Sequence, residues 1–354
     1  MRNTLVRYFK ISLVSIVCYS AAVLVFGSLL CLYSCDIPKR PLNFPFDHGP
    51  HFNAINEWWY FTGIVQTSEQ RILGYEFTIF KRPTASLKGF AYLGHLAISN
   101  PQTAQHLFEE AATPPPVSGI VEGLPKIIVN NFSYQYSESG EIRLAAETKK
   151  ISVDLTLSPV LDIVFHGGDG IIVMGDGKSS YYYSLANLTT TGTLSINGEQ
   201  FTLSSGRSWM DHQWGNFTVL GMRWDWLSLR FNDGGSLMLF QFRDISDRVI
   251  EKNWSYQAAD GAVTYGEEFW VQAHRLYKEQ QGRSVYPLDW TVEVPALNAV
   301  FQVTPLFDAQ SLYNVMTPDY WEGICSLSGI QDGKPVSGSA YVELTGYECG
   351  NPLW

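Results

Sequence analysis

Asp211, His212 and Asp225 stand close together in a stretch unusually rich in indole rings. Four of the eleven tryptophans, Trp209, Trp214, Trp224 and Trp226, fall between residues 208 and 226. An ordinary half-buried strand keeps its carboxylates on the wet side and its apolar residues on the other. Here strand alternation puts Arg207, Trp209, Asp211 and Gln213 on one face, and Met210, His212 and Trp214 on the other. In the next strand Asp225 shares a face with Leu227, Leu229 and Phe231, while Trp224, Trp226, Ser228 and Arg230 take the opposite one. Ionisable groups among large aromatics on both faces indicate a lined cavity. The alternative is a tryptophan-rich joint whose polar groups pair with each other. Arg207 is one partner for Asp211 under that alternative.

The elements that carry these residues read as β-strands. Arg71 to Lys81 alternates Leu73, Tyr75, Phe77 and Ile79 with Gly74, Glu76 and Thr78. Glu57 to Val65, Phe90 to Ser99, Ile127 to Tyr136 and Tyr181 to Ser184 read the same way, and a Pro/Ala-rich stretch near 101–119 reads as a loop. Asn197-Gly198 and Asp332-Gly333 are hairpin turns. The second turn sets Cys325 opposite Ala340, too far from Cys349 for a disulfide within that hairpin. No convincing helix longer than three turns appears. The fold class expected is all-β: two antiparallel β-barrels in tandem, over 51–215 and 216–354, joined near 213–222 by the central motif. Residues 36–50, with Pro38, Pro41, Pro45 and Pro50, read as a linker, and its His48 and His51 as surface residues.

Aromatics make up 14% of the 354 residues and charged residues only 16%, which favours β-structure over long surface helices. The formal net charge is −10. Removing the first 34 residues, with Arg2, Arg7 and Lys10 and no acid, leaves 21 basic against 34 acidic residues, or −13. Such a body repels nucleic acid and anionic surfaces at long range. Residues 11–35 carry no charge. They follow a basic start and read as a signal peptide or an uncleaved membrane anchor. Leu32-Tyr33-Ser34-Cys35 resembles a lipobox, with Cys35 the lipidated residue. Either way the body is expected outside the cytoplasm and tethered to the membrane, on the periplasmic face of the inner membrane in a diderm bacterium.

Several chemistries lack their motifs. There is no Gly-x-Ser-x-Gly, no His-Glu-x-x-His, no Cys-x-x-Cys and no glycine-rich phosphate loop. No metal and no cofactor is therefore expected. His95 and Glu76 read as a satisfied core pair, and Glu322 and Glu343 as solvent-facing or barrel-capping residues.

Glu57-Trp58-Trp59-Tyr60, Tyr181 to Ser184, Trp209 to Gly215, Trp224-Asp225-Trp226, Tyr320-Trp321-Glu322-Gly323 and Tyr341 to Tyr347 form an ordered set over residues 50–350. The set resembles the AttH-like proteins, relatives of carotenoid 1,2-hydratase (hydroxyneurosporene synthase). The resemblance implies two lipocalin-like barrels and, in the hydratases, cofactor-free addition of water to an isolated double bond. His212 and Trp214 match the His and Trp of the hydratase active-site strand. The hydratase proton donor is an Asp on a later strand. Asp225 is the first choice for it and Asp211 the reserve.

Hydrating an unactivated alkene needs a carboxylic acid kept neutral by burial and aromatic faces that stabilise the resulting cation. Trp58, Trp59, Tyr60 and Trp214 are expected to supply such faces, with Trp209, Trp224 and Trp226 completing a ligand site, and His212 to position water. Two functions follow. One is an exported lipocalin-like binder of an apolar isoprenoid or lipid-like molecule, working beside a membrane transporter. The other is a hydratase acting on an acyclic carotenoid or polyene. The tether is open to a direct test with a fatty-acid analogue. Label on wild type and none on Cys35→Ala is the expected result. Equal labelling, or a mature protein that retains residues 1–34, leaves the anchor.

Overall fold

The computed structural model describes residues 36–84, 89–114, 117, 119–175, 177–218, 223–314 and 318–348. Cys35, the apolar segment before it and Cys349 lie outside them.

Two curled antiparallel sheets, each close to a barrel, make up the body. The first begins with the meander β1 (Asn56–Thr67), β2 (Ile72–Pro83), β3 (Phe90–Asn100) and β4 (Gln105–Thr113). Shorter strands follow: β5 (Lys126–Val129), β6 (Phe132–Tyr136), β7 (Ile142–Glu147) and β8 (Ile151–Pro159). Two brief strands, β9 (Val164–Phe165) and β10 (Ile171–Val173), precede the long hairpin β11 (Ser179–Ile196) and β12 (Glu199–Gly215). The strand order is β4-β3-β2-β1-β12-β11-β8-β7-β6-β5, with β9 and β10 on the first half of β11.

The second sheet repeats the plan. It contains β13 (Arg223–Phe231), β14 (Ser236–Arg243), β15 (Val249–Gln257), β16 (Val263–Gly266) and β17 (Trp270–Lys278). Then come β18 (Val285–Val294), β19 (Ala299–Pro305), β20 (Ser311–Leu312), β21 (Tyr320–Gln331) and β22 (Lys334–Thr345). The order is β16-β15-β14-β13-β22-β21-β19-β18-β17, with β20 on β21. In both sheets the first strand lies between the second and the last. Two single-turn 3₁₀ segments are the only helical elements among the described residues.

Alternation gives each sheet its own core. Trp59, Phe61, Tyr183, Met210 and Trp214 pack inside the first, and Leu227, Leu229, Trp290, Trp321 and Val342 inside the second. The outward faces of β1, β12, β13 and β22 meet in a third core that includes Tyr60, Tyr182, Trp209, Trp226, Phe240, Ile324 and Tyr341. The asparagine–glycine and aspartate–glycine turns sit where expected, with Asn197 and Asp332 at positive φ. Cys325 is a free, buried thiol opposite Ala340.

Three expectations are corrected. Residues 105–113 of the Pro/Ala-rich stretch form edge strand β4, hydrogen-bonded along β3. Ile127 to Tyr136 is a hairpin rather than one strand, turned at Asn130 with φ of 51°. Residues 36–50 are not a free linker. Asp47 and His48 are buried against the first sheet, where Arg40 and His51 pair with Asp47 and Trp59 Nε1 donates to the His48 carbonyl at 3.0 Å.

The two sheets come into close contact at Gly74. A Cβ there would lie 2.2 Å from Ile324 Cγ2. We expect Gly74→Val to cost about 1–3 kcal/mol through overpacking of this contact, with Ile324→Ala in the same chain recovering part of the loss. Thermal unfolding of the three variants checks it.

Candidate active site between the two sheets

A cavity of about 50 Å³, open to solvent, lies between the sheets. Two lateral rows of side chains face each other across this interface. On the first sheet, strand pairing aligns His95, Thr78, Tyr60, Asp211 and Ser184 across β3, β2, β1, β12 and β11. On the second it aligns Phe240, Trp226, Glu343 and Glu322 across β14, β13, β22 and β21. Tyr60, Asp211, Phe240, Trp226, Glu343 and Glu322 all line the cavity.

Glu322 and Glu343 are direct cross-strand partners. Side chains at such positions stand roughly 4.5–5.5 Å apart at Cβ, where two like charges repel. Neither has a Lys or Arg within ion-pair distance among the described residues. Glu322 is fully buried; its Oε2 accepts a hydrogen bond from Tyr60 at 3.0 Å, and its Oε1 has no partner among those residues. Burial, then the charges of Glu343 and Glu76, push Glu322 well above the usual carboxylate range. Glu343 accepts from Trp224 Nε1 at 2.7 Å and from the Thr345 hydroxyl at 3.1 Å. Burial raises it to about 7. Glu76 on β2 is buried, bonded to the Thr78 hydroxyl, and raised by the same desolvation. At neutral pH Glu322 and Glu76 are therefore held protonated, while Glu343 stands between its two forms.

Asp211 is the hub of the facing row. It accepts from Tyr182 at 2.6 Å, from Trp209 Nε1 at 2.6 Å and from the Ser184 hydroxyl. Tyr182 in turn accepts from Trp226 Nε1 at 3.0 Å, across the interface. Burial raises Asp211 to about 6 despite these donors. Arg207 does not pair with it. Its guanidinium donates instead to the Phe231 carbonyl at 2.7 Å and to Asn187 at 2.6 Å.

The other face of β12 carries a different network. His212 Nε2 lies 3.0 Å from Glu57 Oε1, and His51 Nδ1 lies 2.7 Å from the same oxygen. Lys81 stands 3.5 Å from the other Glu57 oxygen. Burial acts to raise Glu57, but His51, His212 and Lys81 outweigh it and bring the carboxylate down to about 2. Burial also opposes charge on His51, yet Glu57 and Asp47 raise it overall. His212 is lowered to about 4 by burial and is neutral. His51, Glu57 and His212 offer ligand atoms within 4.8 Å of one another. A divalent ion fits them poorly, because the Lys81 ammonium shares the site and Lys81 and Arg40 already balance Glu57 and Asp47.

The sequence-expected residues thus divide three ways. Trp58, Tyr60, Asp211, Trp224 and Trp226 line the cavity, and Trp209 supports Asp211 from behind. Trp59, His212 and Trp214 lie inside the first sheet, with Trp214 stacked on His51 at 4.0 Å. Asp225 faces the interior of the second sheet. Arg243 at 2.9 Å, Gln241 at 2.6 Å and Tyr347 at 2.8 Å hold its oxygens. It does not line the cavity. Three more expectations are corrected: Glu322 and Glu343 are interior, His48 and His51 are buried, and His95 bonds Tyr320 at 2.7 Å instead of Glu76. Sequence reasoning also missed Tyr182, Arg82 and Tyr320. Glu322 and Glu343 fall within the motifs already quoted; the missing signal was that β21 and β22 pair them.

The AttH-like family model matches residues 36–347. The chain belongs to the AttH-like family. Kievitone hydratase of Fusarium solani subsp. phaseoli is 22% identical over 324 residues, 86% of each chain. The dehydratase asqC of Emericella nidulans is 26% identical over 214 residues, 57% of this chain and 60% of that one. The crystal structure of an AttH protein from Nitrosomonas europaea superposes with a TM-score of 0.80 at 26% identity, covering 88% of this chain and 99% of that one. Kievitone hydratase from Nectria haematococca shares the fold, with a TM-score of 0.72 at 18% identity over 86% and 92%. The AttH-like, lipocalin-type fold thus comes with hydratase and dehydratase relatives.

The raised carboxyls have a linkage signature. Glu343 titrates near 7 in the folded chain against a usual 4.5, so the folded state binds the proton more tightly. Its contribution is full below about 4.5 and is lost as pH rises through 7. Glu343→Gln keeps an acceptor for Trp224 and removes the titration. We expect it to raise the melting temperature relative to wild type at pH 8 and to change little at pH 4.5. Calorimetry at both values checks this; equal differences would contradict it.

Proposed function

We propose that the chain is an acid–base hydro-lyase, adding water to or removing it from a double bond of a largely apolar molecule bound between the sheets. The observation that carries this reading is the buried Glu322–Glu343 pair in an aromatic cavity. Glu322, held neutral, gives its proton to an alkene carbon and leaves a cation. Trp58, Trp224, Trp226, Phe240 and Phe242 surround that charge with aromatic faces. A water adds to the cation and yields its proton to ionised Glu343, which the Trp224 N–H orients. The proton then returns to Glu322 across the pair, so substrate plus water gives alcohol with no net proton change. Dehydration is the reverse. Asp211 acts through Tyr182 as a positioning residue. The uncharged stretch 11–35 supports placing this body outside the cytoplasm, tethered through Cys35 or through the stretch itself.

The test incubates wild type with kievitone, or with an acyclic carotenoid, in ¹⁸O-labelled water. Label in the product is expected, reduced at least about 10²-fold in Glu322→Gln, the usual contribution of a general acid, and retained in Asp225→Asn. Turnover by Glu322→Gln at the wild-type rate would overturn the assignment. Saturable binding without turnover by wild type would leave an apolar-ligand carrier.

A further inference from the structure

Arg82 is the one cationic side chain among the cavity-lining residues. It stands at the end of β2, half-buried, with its guanidinium carbon 5.4 Å from the Trp58 ring centre and 4.8 Å from that of Phe80. Its hydrogen bonding is poor: among the described residues its one hydrogen bond is to the Lys81 carbonyl, at 3.4 Å. Every other described arginine reaches a carboxylate or, as Arg207 and Arg230 do, a backbone carbonyl at 2.7 Å or less. A guanidinium offers five donors in a planar fork. Half-buried between aromatic rings at the cavity, it keeps donors that a ligand entering there can meet.

The protein's own acids do not serve as that partner. Glu343 acts on Arg82 through space, but no carboxylate among the described residues stands within ion-pair distance. Glu322, the most strongly raised of the cavity's carboxyls, is neutral and brings no charge to it. Trp58 and Phe80 flank the guanidinium, and the fork geometry suits two parallel bonds to a carboxylate.

We propose that Arg82 binds an anionic, carboxylate-type oxygen on an otherwise apolar ligand and so sets the substrate class. The inference rests on the reading of this cavity as the ligand site. The anion sits on Arg82 between Trp58 and Phe80, and the apolar body runs along Trp224, Trp226 and Phe240. The unsaturated segment then faces Glu322 and Glu343. Occupation by an anion also replaces a nearby positive charge with a neutral pair, which helps the glutamates keep the proton that the reaction needs.

Geranate and geraniol differ only in the acidic head and make a matched pair of probes. Their affinities at pH 7 are read from quenching of tryptophan fluorescence, on the full chain. Wild type is expected to prefer geranate by about tenfold or more, the scale of a charged hydrogen bond in a sheltered site. Arg82→Gln should bring that ratio close to one, and Arg82→Lys should keep part of it. Geraniol binding and the circular dichroism spectrum report whether each variant is folded. If wild type binds the two equally, or binds geraniol alone, the Arg82 inference fails while the hydro-lyase reading stands on its ¹⁸O result. A preference that survives in Arg82→Gln also overturns it. If neither probe binds wild type, both the inference and the assignment of this cavity as the ligand site fail together.

Discussion

A buried carboxyl group with no cation beside it holds its proton more tightly than it would in water, and the interface between the two sheets is built around that constraint. Glu76, Glu322, Glu343 and Asp211 enter this space from both sides. Hydroxyls and indole N–H groups meet them: Thr78, Tyr60, Trp224, Tyr182 and Trp209. Such neutral donors satisfy carboxyl oxygens without forcing ionisation as strongly as a lysine would. The abundance of tryptophan and tyrosine here follows from the same need, since each brings apolar bulk and one polar hydrogen.

The opposite face of β12 solves its electrostatics the other way. Asp47 and Glu57 are buried as ions, matched by Arg40, Lys81 and His51. One residue of sequence separates the two regimes: Asp211 points to the interface and His212 to the inner core. The ion-rich side fixes the segment around Asp47 and His48 onto the sheet. The ion-poor side leaves acids available for proton transfer. A slip of one residue in the β1–β12 register would exchange the two sets, so the buried charges also hold the strands in register.

Much of this was legible in the alternation along single strands. The opposite faces of residues 207–214 and 224–231, the β class and the Cys325–Ala340 register all follow from period-two patterning and glycine turns. What alternation does not reveal is which face of a barrel strand looks inward and which meets the neighbouring sheet. Asp225 therefore looked as well placed as Asp211, although only Asp211 reaches the cavity. Strand adjacency was equally hidden, so Glu322 and Glu343 read as separate surface groups until β21 and β22 were paired. The proline-rich stretch 36–50 misled for a third reason. Proline excludes helix, but it does not exclude burial of an irregular segment whose His and Asp side chains find partners in distant strands.

Each sheet is joined along a seam between its first and last strands, β1 with β12 and β13 with β22. Residue 60 thus meets residue 211, and residue 226 meets residue 343. Contacts of such long sequence separation form late, because loop closure must precede any gain from pairing. During synthesis the first sheet can close only after residue 215 has left the ribosome, and the second only after residue 345 has. A polypeptide stopped before Lys334 lacks β22 and leaves the flanks of β13 and β21 as unpaired edges, which invite aggregation. Premature termination therefore yields a sticky fragment and not a partly working protein.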